Sequence, residues 1–175
     1  MRDDLKYWIW LTSVPKIGAG RGNQLLRHFG SPEQVWNASE LDLIRLPFIN
    51  RIMVEQIMNR AVRDEAERHL DNIHKHGIRA ITIHDAAYPY YLKNIYDPPI
   101  VLFVKGDMEC DERNVAIVGS RRASSYGLDM ANTIAYQLAK HGVTVVSGMA
   151  RGVDTYAHSG ALKAGGRTIA VLGCG

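Results

Sequence analysis

Hydrophobic positions recur at helical spacing over roughly the first 76 residues, and strands enter the pattern thereafter, alternating with helices from 114 onward. In "DDLKYWIWLTSV", Leu5, Trp8, Ile9 and Leu11 predict a first helix. A second helix is predicted from about Arg21 to His28, closed by Gly30 as a C-cap. "SPEQVWNAS" restarts with Ser31 as N-cap and Pro32 at the first helical position, and Ser39 caps a short helix in "SELDLIRLP". The stretch from about 54 to 76 reads as one long helix ending at Gly77. Charges all round it ("RDEAERHLDNIHKH") predict a connector between domains.

"IRAITIHD" then reads as a strand, and a second strand is expected at about 100–104. Between them lies a Pro/Tyr segment with Tyr88, Tyr90, Tyr91 and Tyr96. Such a cluster either stacks bases or packs a loop against its domain, and packing is the expectation here. From 114 onward strand and helix alternate. "VAIVGS" is an apolar run expected to be buried on both faces, "YGLDMANTIAYQLAKHG" a helix capped by Gly142, and "VTVVSG" a second buried strand. "DTYAHSGALKAGG" and "TIAVLG" add a helix and a third strand. This βαβαβ order predicts a parallel, doubly wound α/β sheet with right-handed crossovers. The expected division is a helical domain at 1–66 and the first part of a Rossmann-like domain at 67–175. Gly175 directly follows a strand, so a piece of a longer domain is expected.

"VPKIG" at 14–18 and "LPFIN" at 46–50 form a weak repeat, each copy preceding a helix. The pattern is similar to paired helix-hairpin-helix units or a SAM-like bundle. Gly18, Gly20 and Gly22 suit a hairpin that offers N–H groups to a phosphate, whereas the second copy has Asn50 and Arg51 instead. Packing alone is the favoured reading of this region.

Composition narrows the function classes. Hydrophobic residues make up 46% of 175, enough for a packed core. No apolar run approaches the roughly 20 residues that span a bilayer, and the N-terminus makes a poor secretory signal. Cys110 and Cys174 form no C-x-x-C pair, which argues against a disulfide scaffold or a zinc site. A cytoplasmic protein without metal or cofactor is expected. The net charge of +3 is unevenly spread: residues 113–175 hold seven basic side chains against Asp129 and Asp154. An anion-binding face is the sharper reading of that bias, ordinary solubility the blander one.

In a parallel sheet the ligand crevice lies beyond the carboxyl ends of the strands. Here those ends carry "GSRRASSYG" and "SGMARGVD". They bring Ser120, Arg121, Arg122, Ser124 and Ser125 to the same sheet edge as Ser147, Gly148, Arg151 and Gly152. Glycines admit a close ligand, helix N-termini add N–H groups and positive dipole, and arginines and serines complete a phosphate-binding surface. Asp154 is most simply an N-cap, and His158 a packing or capping residue. There is no G-x-G-x-x-G, no G-x-x-x-x-G-K-[ST], and no nucleophile–base–orienter set, so no catalytic residue is assigned.

"VAIVGSRRASSYG", "VVSGMARGVDTYAH" and "ALKAGGRTIAVLGCG", preceded by "YPYYLKNIYDPPIVLFVKGD", resemble the DNA-processing protein A (DprA/Smf) family. The likeness is strong over about 84–175, and the region before it is similar, more loosely, to the family's SAM-like domain. It implies an extended Rossmann-like fold that binds single-stranded DNA without catalysis, protects incoming strands during natural transformation and loads the recombinase RecA. It further implies the homodimers through the Rossmann-like domain that are common in the family, and a winged-helix-like third domain, in members that have one, is expected to lie outside this sequence. Gly119, Ser120 and Arg121 match the family's G-S-R phosphate contact, and Ser124 a small polar position in that loop. Gly148, Ala150, Arg151 and Gly152 match the second loop and Lys163 a basic DNA-facing position, with Arg122 an added arginine. The alternative is a nucleotide-processing enzyme of the phosphoribohydrolase type on a related fold, whose P-G-G-x-G-T motif is absent.

Overall fold

Helix ends in the first hundred residues follow their caps. In the computed structural model, which describes residues 4–108 and 112–173, the first helices are α1 (Leu5–Ser13) and α2 (Ala19–Phe29). Gly30 ends α2 with φ +88°, a conformation that suits glycine. Ser31 caps α3 (Pro32–Asn37) by accepting from the Gln34 N–H. Ser39 and Asp42 form a reciprocal capping box on α4 (Glu40–Ile44).

The long helix expected over 54–76 is two helices, α5 (Arg51–Met58) and α6 (Arg60–Lys75). They break at Asn59, whose extended backbone ends α5 and whose side chain caps α6 through the Ala61 N–H at 2.9 Å. Helix α6 is not a connector. Val62, Ala66, Leu70 and Ile73 form an apolar stripe at helical spacing and join the core, packed beside α1. Arg63 lies over the rings of Trp36 and Trp10 and donates to the Trp36 carbonyl at 2.7 Å.

Strands β1 (Arg79–Thr82) and β2 (Val101–Val104) pair antiparallel as a separate two-stranded sheet. Between them the short helix α7 (Tyr90–Lys93) carries part of the tyrosine cluster. Tyr88 is buried and its hydroxyl donates to the Pro99 carbonyl at 2.7 Å; burial pushes its pKa up to about 12. Packing therefore accounts for Tyr88, but Tyr90, Tyr91 and Tyr96 are 68%, 83% and 97% exposed, contrary to expectation. These elements share the core of the helical bundle, so the compact units are 1–110 and 111–175. The boundary expected at 66/67 falls inside α6. Trp8 and Trp10 anchor this first core, each burying on the order of 200 Å², roughly 5 kcal/mol of transfer free energy.

The second unit is the parallel sheet. Strands β3 (Asn114–Ala116), β4 (Thr144–Ser147) and β5 (Thr168–Ala170) lie in the order β3-β4-β5, all parallel, with helices α8 (Ser125–Lys140) and α9 (Val153–Lys163) as crossovers. The register pairs Ala116 with Val146 and Val146 with Ile169. The central strand β4 is the most buried, with only Val146 partly exposed. Of the apolar run at 115–118, Val115, Ala116 and Val118 are exposed on the edge strand β3 and its loop, while Ile117 is half-buried against the second core. Helices α8 and α9 pack closely through small residues. Ala135, Ala139, Ala157 and Ala161 are buried, and a side chain at Gly160 would strike the Asn132 carbonyl and Ala135. Glu112 ties the sheet, accepting from the Thr144 hydroxyl at 2.6 Å and Arg167 Nε at 2.7 Å. Cys110, Cys174 and most of the "GCG" end lie outside the described residues.

Candidate nucleic-acid interface

Two loops leave neighbouring parallel strands at their carboxyl ends, as the β-α-β order requires. The first runs from Ile117 to Ala123 after β3, the second from Gly148 to Gly152 after β4. Their bases are stitched together. The Ile117 N–H donates to the Val146 carbonyl at 2.9 Å, and the Ser147 hydroxyl donates to the Ile117 carbonyl at 2.6 Å.

Glycine then lets the loops interlock. Gly152 has φ +85°, and a Cβ there would collide with the Ser120 carbonyl and the Arg121 backbone. The Val153 N–H donates to the Ser120 carbonyl at 3.3 Å, and a Cβ at Gly119 would come within 2.8 Å of the Val153 side chain. The first loop thus sits directly on the N-terminus of α9. The Ser120 hydroxyl accepts from the Arg122 N–H at 3.0 Å and shapes the turn that carries both arginines. Ser124 caps α8 through the Gly127 N–H at 3.2 Å.

Asp154 is not the N-cap of α9. That position is Gly152, and Asp154 is the second helical residue. Its buried carboxylate accepts from the Ala150 N–H at 3.3 Å and would lie 2.9 Å from a Cβ at Gly148, so it braces the second loop from beneath. The Thr155 hydroxyl holds the Ala150 carbonyl at 2.8 Å. His158 links α9 to β5: its Nδ1 lies 2.7 Å from the Thr168 hydroxyl, which itself donates to the Val145 carbonyl. Burial lowers the His158 pKa below its ordinary value of 6.5, with Asp154 opposing the shift.

The result is an open depression of about 480 Å³ lined by Arg121, Arg122, Ala150 and Arg151. All three guanidinium-bearing residues are exposed, and no carboxylate lines the depression. The helix dipoles of α8 and α9 start at these same loops and add positive potential. The structure therefore brings together Gly119, Ser120, Arg121, Arg122, Ser124, Gly148, Ala150, Arg151 and Gly152. It does not bring Lys163 to them. Lys163 ends α9, an 11-residue helix, and so stands roughly 15 Å of helix length from the loops. Two features of the second loop are not legible in sequence: the bracing by Asp154, and the left-handed backbone of Met149 (φ +59°), which adjoins the lining residues Ala150 and Arg151.

The glycine-rich hairpin of the first unit differs. A Cβ at Gly20 would fall 2.8 Å from the Asp97 carboxylate, and one at Gly22 3.2 Å from Ile100. Asn23 donates to the Pro98 carbonyl at 2.8 Å. The hairpin's side at Gly20 and Gly22 is filled by the chain's own 97–100 segment, while Gly18 faces open space.

Comparison with known proteins agrees with the motifs. The sequence model of "DNA recombination-mediator protein A" matches residues 79–175. The DNA processing protein DprA of Bacillus subtilis is 36% identical over 167 residues, which is 89% of this chain and 55% of that protein. Protein Smf of Synechocystis is 33% identical over 174 residues, 97% of this chain and 44% of that protein. The X-ray structure of DprA from Streptococcus pneumoniae superposes with a TM-score of 0.65 at 30% identity, covering 97% of this chain and 58% of that one. The chain thus spans about half the length of the curated relatives it matches.

Proposed function

We propose, because this chain belongs to the DNA recombination-mediator protein A family, that it binds single-stranded DNA along the arginine-lined depression of its second unit. The observation that carries the reading is the convergence of Arg121, Arg122 and Arg151 on an open surface without a carboxylate. Guanidinium groups there meet phosphate oxygens bidentately, and the helix N-termini beneath favour the same anion. Among the described residues the lining of the depression comes from two loops rather than a helix face, so the backbone of a flexible strand is a better fit than a major groove. Lys163, at the far end of α9, is an outlying phosphate contact for a strand that continues along that helix.

The relatives' printed names concern DNA processing and recombination mediation. From that relationship we extend the proposal to protection of incoming strands and loading of RecA during transformation, with homodimers formed through the α/β unit and the cytoplasm as its place of action. No catalytic step is part of this reading. Competition between a labelled single-stranded oligonucleotide and its duplex, followed by fluorescence anisotropy across a salt series, tests it. Preference for the single strand with a steep salt dependence is expected. Equal affinity for both forms, or binding insensitive to salt, would count against it.

A further inference from the structure

Among the described residues, two that are not glycine adopt a left-handed backbone, Lys16 and Met149. Lys16 has a local reason. It follows Pro15 in a turn closed by the Ile17 N–H on the Val14 carbonyl at 3.1 Å, where the third position of the turn requires positive φ. Met149 has φ +59° in a loop that already uses glycine on either side, at Gly148 and Gly152. A bulky residue there carries backbone strain that glycine would remove. Its side chain is also 65% exposed, so it returns little packing to the fold. It immediately precedes Ala150 and Arg151, which line the depression. Asp154 holds the Ala150 N–H from below, so Met149 sits on a braced segment.

We propose that Met149 is the base-contacting residue of this site: its flexible thioether packs on the face of a nucleobase while Arg121, Arg122 and Arg151 hold the flanking phosphates. The inference rests on the reading of these loops as a single-strand site. A polarizable, unbranched side chain suits this role because it adapts to any base without reading its edges. The cationic residues alone cannot distinguish a strand with bases from a bare sugar–phosphate chain, and Met149 supplies that distinction.

The test uses the whole chain with two oligonucleotides of equal length, one of thymidines and one of abasic sites, in the same salt. Wild type is expected to prefer the thymidine strand. Met149→Gly is expected to lose about fivefold to tenfold in affinity for thymidines. It should keep wild-type affinity for the abasic strand and an unchanged salt slope, because no phosphate contact is removed. Its melting temperature should be equal or higher, since glycine relieves the backbone. Met149→Leu should restore the preference for bases, and Met149→Asn, which tolerates the same backbone, should not. A Met149→Gly protein that binds both strands as wild type does would overturn this inference and leave the single-strand reading standing. A wild type that binds neither strand would overturn both.

Discussion

Both units place a glycine-rich turn at the start of a helix, and they use it in opposite ways. In the first unit, Gly20 and Gly22 admit the chain's own Asp97 and Ile100, and Asn23 locks the segment by its bond to Pro98. In the second, Gly152 admits the backbone of a neighbouring loop, Asp154 braces from below, and the three arginines are left facing outward. Glycine licenses a close approach in each case. What approaches is decided by other residues: the Asp97–Ile100 segment of the same protein closes one turn, while the other keeps its cations open. The cores differ in the same sense. The first is built on Trp8, Trp10 and branched aliphatics, the second on alanine and glycine between α8 and α9. A small-residue interface holds two helices close and leaves the loop pair to be fixed by hydrogen bonds.

The comparison is broken most severely at Gly152. Gly152→Ala adds a Cβ against Ser120 and Arg121 at a backbone conformation that alanine avoids. We expect a loss of about 3 kcal/mol in the stability of the second unit and loss of oligonucleotide binding as the loops separate. Urea melts with anisotropy on the same preparation check this, and a protein of normal stability and affinity would contradict the interlock. Asn23→Ala is the matching change in the first unit. It strands the buried Pro98 carbonyl and should cost about 2 kcal/mol. Oligonucleotide affinity should be unchanged, since this turn is already filled. A fall in affinity without a fall in stability would show the first turn to be open after all.

The smallest effect concerns pH. The folded pKa of His158 is lowered by burial, so the native state binds fewer protons than the unfolded state in the window just below 6.5. Its contribution is fully present above about 6.5 and is lost as the pH falls from there towards the folded pKa. Melts at stepwise lower pH should show the second unit weakening, with the trend flattened in His158→Asn. A second unit that gains stability on acidification, and loses that gain in His158→Asn, would contradict the assignment.

Much of this is legible in the sequence itself. The β-α-β alternation, the caps at Ser31, Ser39 and Gly30, and the two loops at one sheet edge follow from hydrophobic period and turn chemistry. The break at Asn59 is not, because an asparagine ends one helix and caps the next only when the tertiary packing of both is known. The stripe on α6 was masked by the charges beside it, although Val62, Ala66, Leu70 and Ile73 keep the period. Burial of "VAIVGS" was overestimated because an apolar run does not say whether its strand is central or at an edge. In the site, residue types pointed to Arg121 and Arg151, but helix length separates Lys163 from them and backbone geometry singles out Met149. Neither is encoded in a motif.

The central claim is that the arginines of the open turn hold phosphates rather than brace the fold. Replacing Arg121 by alanine tests it in one preparation. If Arg121 meets a phosphate, affinity should fall for every sequence, because phosphate contacts position a strand without reading bases. The slope of log affinity against log salt should flatten by about 0.7, the single-strand value for one contact, and the melting temperature should stay at the wild-type value. A lowered melting temperature with an unchanged slope would contradict the account and make Arg121 a brace of the turn.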